Sequence, residues 1–254
     1  MQAVNNSQRV TLRAPGLAGD KQGRRFGSVK APSAKANRRS ALSITARATT
    51  KTDELFTVRQ LKEKYIQAIR PSFADLPENP WVNGLYRHQT YRRYSVVAVE
   101  DDKLVLKGND KPKCGVCDNL SDELINNPAF QEIVEEFRAI TEIDDDSPIE
   151  VHQFRAYCEG EMKDLHPTVH RDGFDHVGVL GVTQQNLDGA ELILVEDRND
   201  LSKPLMRTAI KDPTFAVFND HAVWHGATQM TQVNPGEKAW VDCFVFWANK
   251  HKKA

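Results

Sequence analysis

After Pro148 the chain breaks into short runs rich in β-branched and aromatic residues, at 149–157, 168–172, 176–183, 190–196, 205–210, 214–219, 222–230 and 239–248. Turn formers separate them, among them Asn186-Leu187-Asp188-Gly189, Asp212-Pro213 and Asn234-Pro235-Gly236. Strands this short and this closely spaced predict a closed or sandwiched antiparallel sheet rather than βαβ units. That expectation makes 149–248 the core of the chain.

The residues before it read differently. From 53 to 70 the apolar residues Leu55, Val58, Leu61, Tyr65 and Ile69 recur at spacings of three and four, which predicts a helix stopped by Pro71. Residues 93–106 read as a hairpin turning at Glu100-Asp101-Asp102, its first strand buried on both faces. Ser121 and Glu123 open a second helical region whose buried stripe is Phe130, Ile133, Val134, Phe137 and Ile140. The expected organisation is a leader over 1–50, a helical and mixed part over 51–148 packing on the core, and the β core over 149–248.

Charge is distributed unevenly. Residues 1–50 hold ten Lys or Arg against one acid, Asp20, leaving 24 basic and 34 acidic residues in the rest, a net of −10. Such an acidic body repels a phosphate backbone and argues against nucleic acid as a partner. No apolar run approaches the roughly 18 residues of a membrane span. The first 50 residues, rich in Arg, Ala and Ser, resemble an organellar transit peptide processed near Ala46 to Ala48. The chloroplast stroma is favoured over the mitochondrion, and a basic tail that stays attached is the alternative.

The chemistry concentrates at His170-Arg171-Asp172. Residues two apart on a strand point the same way, so His170 and Asp172 can reach one cation together. A histidine from a later strand would complete two histidines and one carboxylate on one face of a metal, the donor set of non-haem iron(II) oxygenases, with the opposite face open. Two histidines compete for that role, His221 and His225, which stand 49 and 53 residues after Asp172. Their shared parity does not choose between them. Local context favours His225, inside the run His225-Gly226-Ala227-Thr228, over His221, which follows Asn219-Asp220 near its start.

The stretch Val169-His170-Arg171-Asp172-Gly173-Phe174-Asp175, then Asn186 and Gly189-Ala190-Glu191, then His225-Gly226-Ala227-Thr228, resembles the 2OG-Fe dioxygenase family that includes bacterial L-isoleucine 4-hydroxylase. The resemblance covers roughly 149–248. It implies a mainly β fold with flanking helices around a double-stranded β-helix (jelly-roll, cupin-like) core. It also implies Fe(II) held by His170, Asp172 and His225, with 2-oxoglutarate and O2 as cosubstrates. Characterised members hydroxylate free aliphatic amino acids, so the implied substrate is a small molecule, and the retained Asp172 favours hydroxylation.

Two positions depart from the family pattern. Its Gly-Gly turn reads Gly189-Ala190, and the arginine that anchors the far carboxylate of 2-oxoglutarate is replaced by Lys238, 13 residues after His225. Lysine can pair with a carboxylate but lacks the bidentate fork. Arg155 and Arg207 are substitute anchors, and Arg155 is also a candidate for the substrate carboxylate if it faces the barrel mouth, with a plain surface salt bridge as the alternative. Two other readings remain at this point: a metal-dependent barrel enzyme that does not use 2-oxoglutarate, and a non-catalytic barrel used for binding or sensing. Cys114 and Cys117 have the spacing of a redox or zinc pair, but no second pair accompanies them, so two free thiols are expected.

Overall fold

The computed structural model describes residues 55–79, 90–101, 103–108, 117–144, 146–162, 169–211 and 213–250. The leader expected over 1–50 lies outside the described residues, as do Cys114 of the cysteine pair and Asp102 of the hairpin turn. Ahead of residue 149 come β1 (Phe56–Gln60), α1 (Glu63–Ile69), β2 (Thr90–Glu100), β3 (Lys103–Gly108), α2 (Asp122–Ile125) and α3 (Pro128–Thr141). After it come β4 (Ile149–Cys158), β5 (Glu161–Met162), β6 (His176–Gln185), β7 (Leu187–Gly189) and β8 (Glu191–Val195). The chain then forms β9 (Met206–Ala209), β10 (Thr214–Asn219), β11 (Trp224–Ala227), β12 (Met230–Gln232) and β13 (Ala239–Ala248).

These strands pair antiparallel into one large sheet, ordered β1-β10-β6-β13-β4-β2-β3, and two small ones, β11-β8-β9 and β5-β12-β7. The large sheet facing the small ones is the jelly-roll, double-stranded β-helix arrangement expected of the core. Its two faces bury two different clusters. On one face Val151, Leu180, Val217, Phe244 and Phe246 pack against the helices through Phe130, Ile133 and Phe137. On the other, Phe154, Ala156, Val177, Val179, Phe218, Val241 and Cys243 meet Leu192 and Leu194 of the small sheet and fill the barrel interior. Alternation along each strand assigns every side chain to one face or the other.

The helices follow from local chemistry. Ser121 caps α2 by accepting from the Leu124 N–H at 3.3 Å, and Asn127 caps α3 by accepting from the Ala129 N–H at 2.9 Å, with Pro128 at the first helical position. Of the expected stripe, Phe130, Ile133, Val134 and Phe137 are buried and Ile140 is half-buried against the same core.

Two expectations are corrected. The helix expected over 53–70 is a strand followed by a short helix: Phe56–Gln60 pairs with β10, Phe56 opposite Phe218 and Gln60 opposite Thr214. The run Phe56-Thr57-Val58-Arg59-Gln60 suits the edge of a sheet, and pairing there outweighs the three–four spacing of its apolar residues. The boundary at 148 is also not a boundary of the sheet, since β1, β2 and β3 extend the large sheet on both sides of the strands that follow it.

Candidate metal centre

The strand expected at 168–172 is reduced to a single bridge. His170 and His225 exchange both backbone bonds, N–H to carbonyl at 2.8 and 3.0 Å, so the two histidines stand opposite each other. Gly226 makes this close approach possible, because a side chain there would come within 3.0–3.3 Å of Val169, whose backbone runs past it. Asp172, two residues after His170, returns to the same side. The outcome is that His170, Asp172 and His225 each bring one donor atom within 4.8 Å of the others. His170 Nε2 lies 3.5 Å from Asp172 Oδ1 and His225 Nε2 lies 3.3 Å from Asp172 Oδ2.

These separations suit a metal. Donors held about 2.1 Å from one ion at right angles to each other stand roughly 3 Å apart, and a nitrogen, carboxylate, nitrogen set suits iron(II). Charge supports the same reading. Burial acts to raise the Asp172 carboxyl, but hydrogen bonds from His170 and His225 hold it well below the usual carboxylate range, so it is an anion ready to ligate.

His225 is held from behind as well. Its Nδ1 is 3.2 Å from Oδ1 of Asp220, a carboxylate with no exposed surface. Burial opposes protonation of this ring, yet Asp172 on one side and Asp220 on the other raise its pKa to about 9 in the metal-free protein. The second oxygen of Asp220 accepts from the N–H groups of Gly173 at 2.8 Å and Phe174 at 3.4 Å. One buried acid therefore orients the distal histidine and pins the turn that follows Asp172, the outer partner that metal-binding histidines usually have. Sequence reasoning passed over Asp220. Its position five residues ahead of His225 across a turn carries no periodic signal that would mark it.

The structure separates the two distal candidates. His221 is exposed in the turn before β11, where its Nε2 bonds Asp175 at 2.9 Å, and it is not among the converging donors. The strand expected from 222 begins only at Trp224, because the Asn219 side chain accepts from the His221 and Ala222 N–H groups and keeps those residues in a turn.

The expected carboxylate anchors fare otherwise. Arg155 sits on the helix-covered face: it shares that face with Gln153, which donates to Ser72 in the 3-10 turn directly after α1, while Phe154 and Ala156 point into the barrel. Arg155 binds Asp242 of β13 through both arms, at 2.6 and 2.7 Å. Gln153 and Arg155 share one parity of β4, and the face they share is turned away from the mouth. Arg207 is on the outer face of the small sheet, opposite Ile193 and paired with Glu191 at 2.6 Å. Lys238 is an exposed residue just ahead of β13. None of the three is turned into the barrel interior. Cys117 is buried, and Cys114 lies outside the described residues.

The fold and the centre define an iron(II) oxygenase of the double-stranded β-helix type. The sequence profile of the 2OG-Fe dioxygenase family matches residues 116–247, and the chain belongs to that family, whose members use Fe(II), 2-oxoglutarate and O2. No curated protein matches the chain in sequence. Among solved structures it is similar to a bsmA homolog from Methylobium petroleophilum PM1, at 21% identity and a TM-score of 0.63, over 78% of this chain and 89% of that one. It is also similar to a protein termed IDO from Bacillus thuringiensis, at 17% identity and a TM-score of 0.60, over 78% and 90%. A third is the Fe(II)/(alpha)ketoglutarate-dependent dioxygenase TqaL, at 14% identity and a TM-score of 0.62, over 78% and 84%. Identities this low speak to the shared fold.

Proposed function

We propose that this oxygenase hydroxylates a small carboxylate-bearing molecule, a free amino acid, using iron held by His170, Asp172 and His225. The observation that carries the reading is the convergence of those three donors at one mouth of the barrel. Bound iron would supply the position at which 2-oxoglutarate and O2 are activated. The chain's own residues do the rest. Asp172 would bring a negative charge to the ion, Asp220 stands 3.2 Å behind Nδ1 of His225 and leaves its Nε2 toward Asp172, and His170 is locked to His225 through the backbone bridge.

A small substrate is supported by the walls of the mouth. Phe174 stacks on Trp247, with centroids 5.1 Å apart, and Trp247 packs on His152 at 4.0 Å, so aromatic rings join the Asp172 turn to the large sheet. The resemblance to amino-acid hydroxylases points the same way, and an acidic body offers no field to gather polyanions such as nucleic acid. The test is succinate release from 2-oxoglutarate with each free amino acid, compared with peptides and protein extracts. Release stimulated by one or a few amino acids supports the reading, and release coupled only to polypeptide removes the substrate class.

We also infer that residues 1–50 direct the protein to an organelle, the chloroplast stroma ahead of the mitochondrion. The composition of this segment supports that reading: ten basic residues, one acid, and many Ala and Ser. Import of a fluorescent protein carrying residues 1–50, with cleavage near 46–48, is the expected result; a reporter that stays in the cytosol uncleaved refutes it.

A further inference from the structure

An enzyme of this family needs a cation for the far carboxylate of 2-oxoglutarate, and the cations at the expected positions are turned elsewhere. Arg155 and Arg207 face outward, and Lys238 is exposed ahead of β13. The large sheet offers another. In the pairing of β2 with β4, Thr90 lies opposite Ala156, Arg92 opposite Phe154 and Tyr94 opposite His152. Directly opposed residues share a face, so Arg92 is on the side of Phe154, which fills the barrel interior. Its neighbours in sequence and on the sheet do not share this placement: Arg93 lies opposite Gln153 on the helix-covered face, and Arg59 reaches Glu136 of α3 there.

The direction of the side chain is also visible. The guanidinium of Arg92 lies 4.9 Å from the centroid of the Phe154 ring, so the arm has crossed from β2 onto β4. Its Nη1 is 3.4 Å from Nδ1 of His152, one inward position nearer the mouth. Its charge reaches β13 as well: burial and Asp242 push the Cys243 thiol up, to about 12, and Arg92 is the group that works against them. Cys243 lies opposite Phe154 on the next strand.

The depth is appropriate. The His225 ring contacts Phe218 at 4.9 Å, Phe218 pairs with Val177, and Val177 pairs with Trp247, which sets the level of the metal on β13. His152 and Phe154 belong to the rows of Val245 and Cys243, two and four residues deeper, or about 7 and 13 Å along the strand. A five-carbon diacid held to the metal by its 2-oxo acid end extends its other carboxylate toward the shallower of these rows.

We propose that Arg92, on a strand that precedes the residues matched by the family profile, is the group that binds the far carboxylate of 2-oxoglutarate. The guanidinium presents a planar fork suited to a carboxylate, backed by the Phe154 ring and steadied by His152. The anchor has moved from the strand after the distal histidine to one two places away in the same sheet.

The test uses full-length protein loaded with Mn(II), which binds cosubstrate without turnover, and calorimetric titration with two acids. One is 2-oxoglutarate; the other is 2-oxopentanoate, which has the same chain length and chelating end but lacks the far carboxylate. A charge-assisted contact of about 1.5–3 kcal/mol corresponds to about a ten- to hundredfold change in affinity. Arg92→Gln is expected to lose that factor for 2-oxoglutarate and to leave 2-oxopentanoate within about threefold, so that the two acids become equivalent. Arg92→Lys, which keeps the charge without the fork, is expected to fall between. Unchanged 2-oxoglutarate binding in Arg92→Gln overturns the proposal, including the case where only the response to an amino-acid substrate changes. An equal loss for both acids in Arg92→Gln and Arg92→Lys also overturns it, by showing a structural role. Failure of the wild type to bind either acid would break the cosubstrate assignment itself and remove this inference with it.

Discussion

The two faces of the large sheet are built from the same strands and work by opposite rules. On the helix-covered face, Phe244 meets Phe73 edge-on at 5.0 Å and Phe130 at 5.3 Å, while Phe246 packs on Phe137 and Phe215 at 5.5 Å each. Stability there comes from apolar area and shape, with many contacts of similar weight. At the mouth of the barrel, His225, Asp172 and Asp220 are polar and largely buried, with the imidazole between the two carboxylates at 3.3 and 3.2 Å. Here the worth of a residue lies in a specific partner, and removing one strands the rest. Function is therefore separable from stability along a single strand order.

Breaking that separation should give the largest effects. Phe244→Ala is expected to cost about 3–5 kcal/mol of folding stability in denaturant unfolding, while the metal affinity of the folded fraction stays the same. Asp172→Ala and His225→Ala should do the reverse, abolishing turnover and weakening metal binding at least about a hundredfold by calorimetry while the protein remains folded. A mutant of the aromatic face that loses metal with its fold intact would blur the contrast.

Asp220→Asn tests whether the outer partner matters as much as the geometry suggests. Metal affinity should fall about ten- to a hundredfold, the usual cost of losing such a partner, with stability much less affected than in Phe244→Ala. An unchanged affinity would reduce Asp220 to a tie for the Gly173 and Phe174 backbone.

The pH dependence sharpens the same point. In the metal-free protein His225 has its pKa raised to about 9 from 6.5, so the stabilisation by its acid partners is full below about pH 6.5 and is lost as pH rises through 9. A metal must displace that proton. Its apparent affinity should rise by about tenfold per pH unit between those limits, and the protection it gives against heat should rise in parallel. A flat affinity from pH 6.5 to 9 would contradict the pairing of His225 with its two acids.

The smallest effects belong to the residues outside the centre. His221→Ala and Lys238→Ala, both at exposed sites, should change metal affinity by less than about threefold and stability by no more than about 0.5 kcal/mol.

The strands after residue 149 were legible because each is a short apolar run bounded by turn residues, and β4, β6, β10 and β13 fall close to the runs the sequence marks. The triad was legible because His170 and Asp172 carry the two-residue spacing of one strand. Spacing did not separate the two later histidines, since His221 and His225 share a parity and only the turn capped by Asn219 keeps His221 away from His170 and Asp172. β1 was misread because five residues at a sheet edge are too few for alternation to outweigh an accidental helical spacing. The role of Arg155 stayed open between the mouth and a salt bridge, because alternation states which residues share a face and is silent on which face looks inward; it is paired with Asp242. Asp220 and Arg92 act through contacts between residues distant in sequence or across a turn, and no local pattern encodes those.

The most direct measurement is an anaerobic titration of the protein with Fe(II) and 2-oxoglutarate, following the weak visible absorption of the iron chelate. The wild type and His221→Ala should both develop the band, and His225→Ala should not. No band in the wild type, or a band that survives His225→Ala and disappears in His221→Ala, would contradict the centre described above.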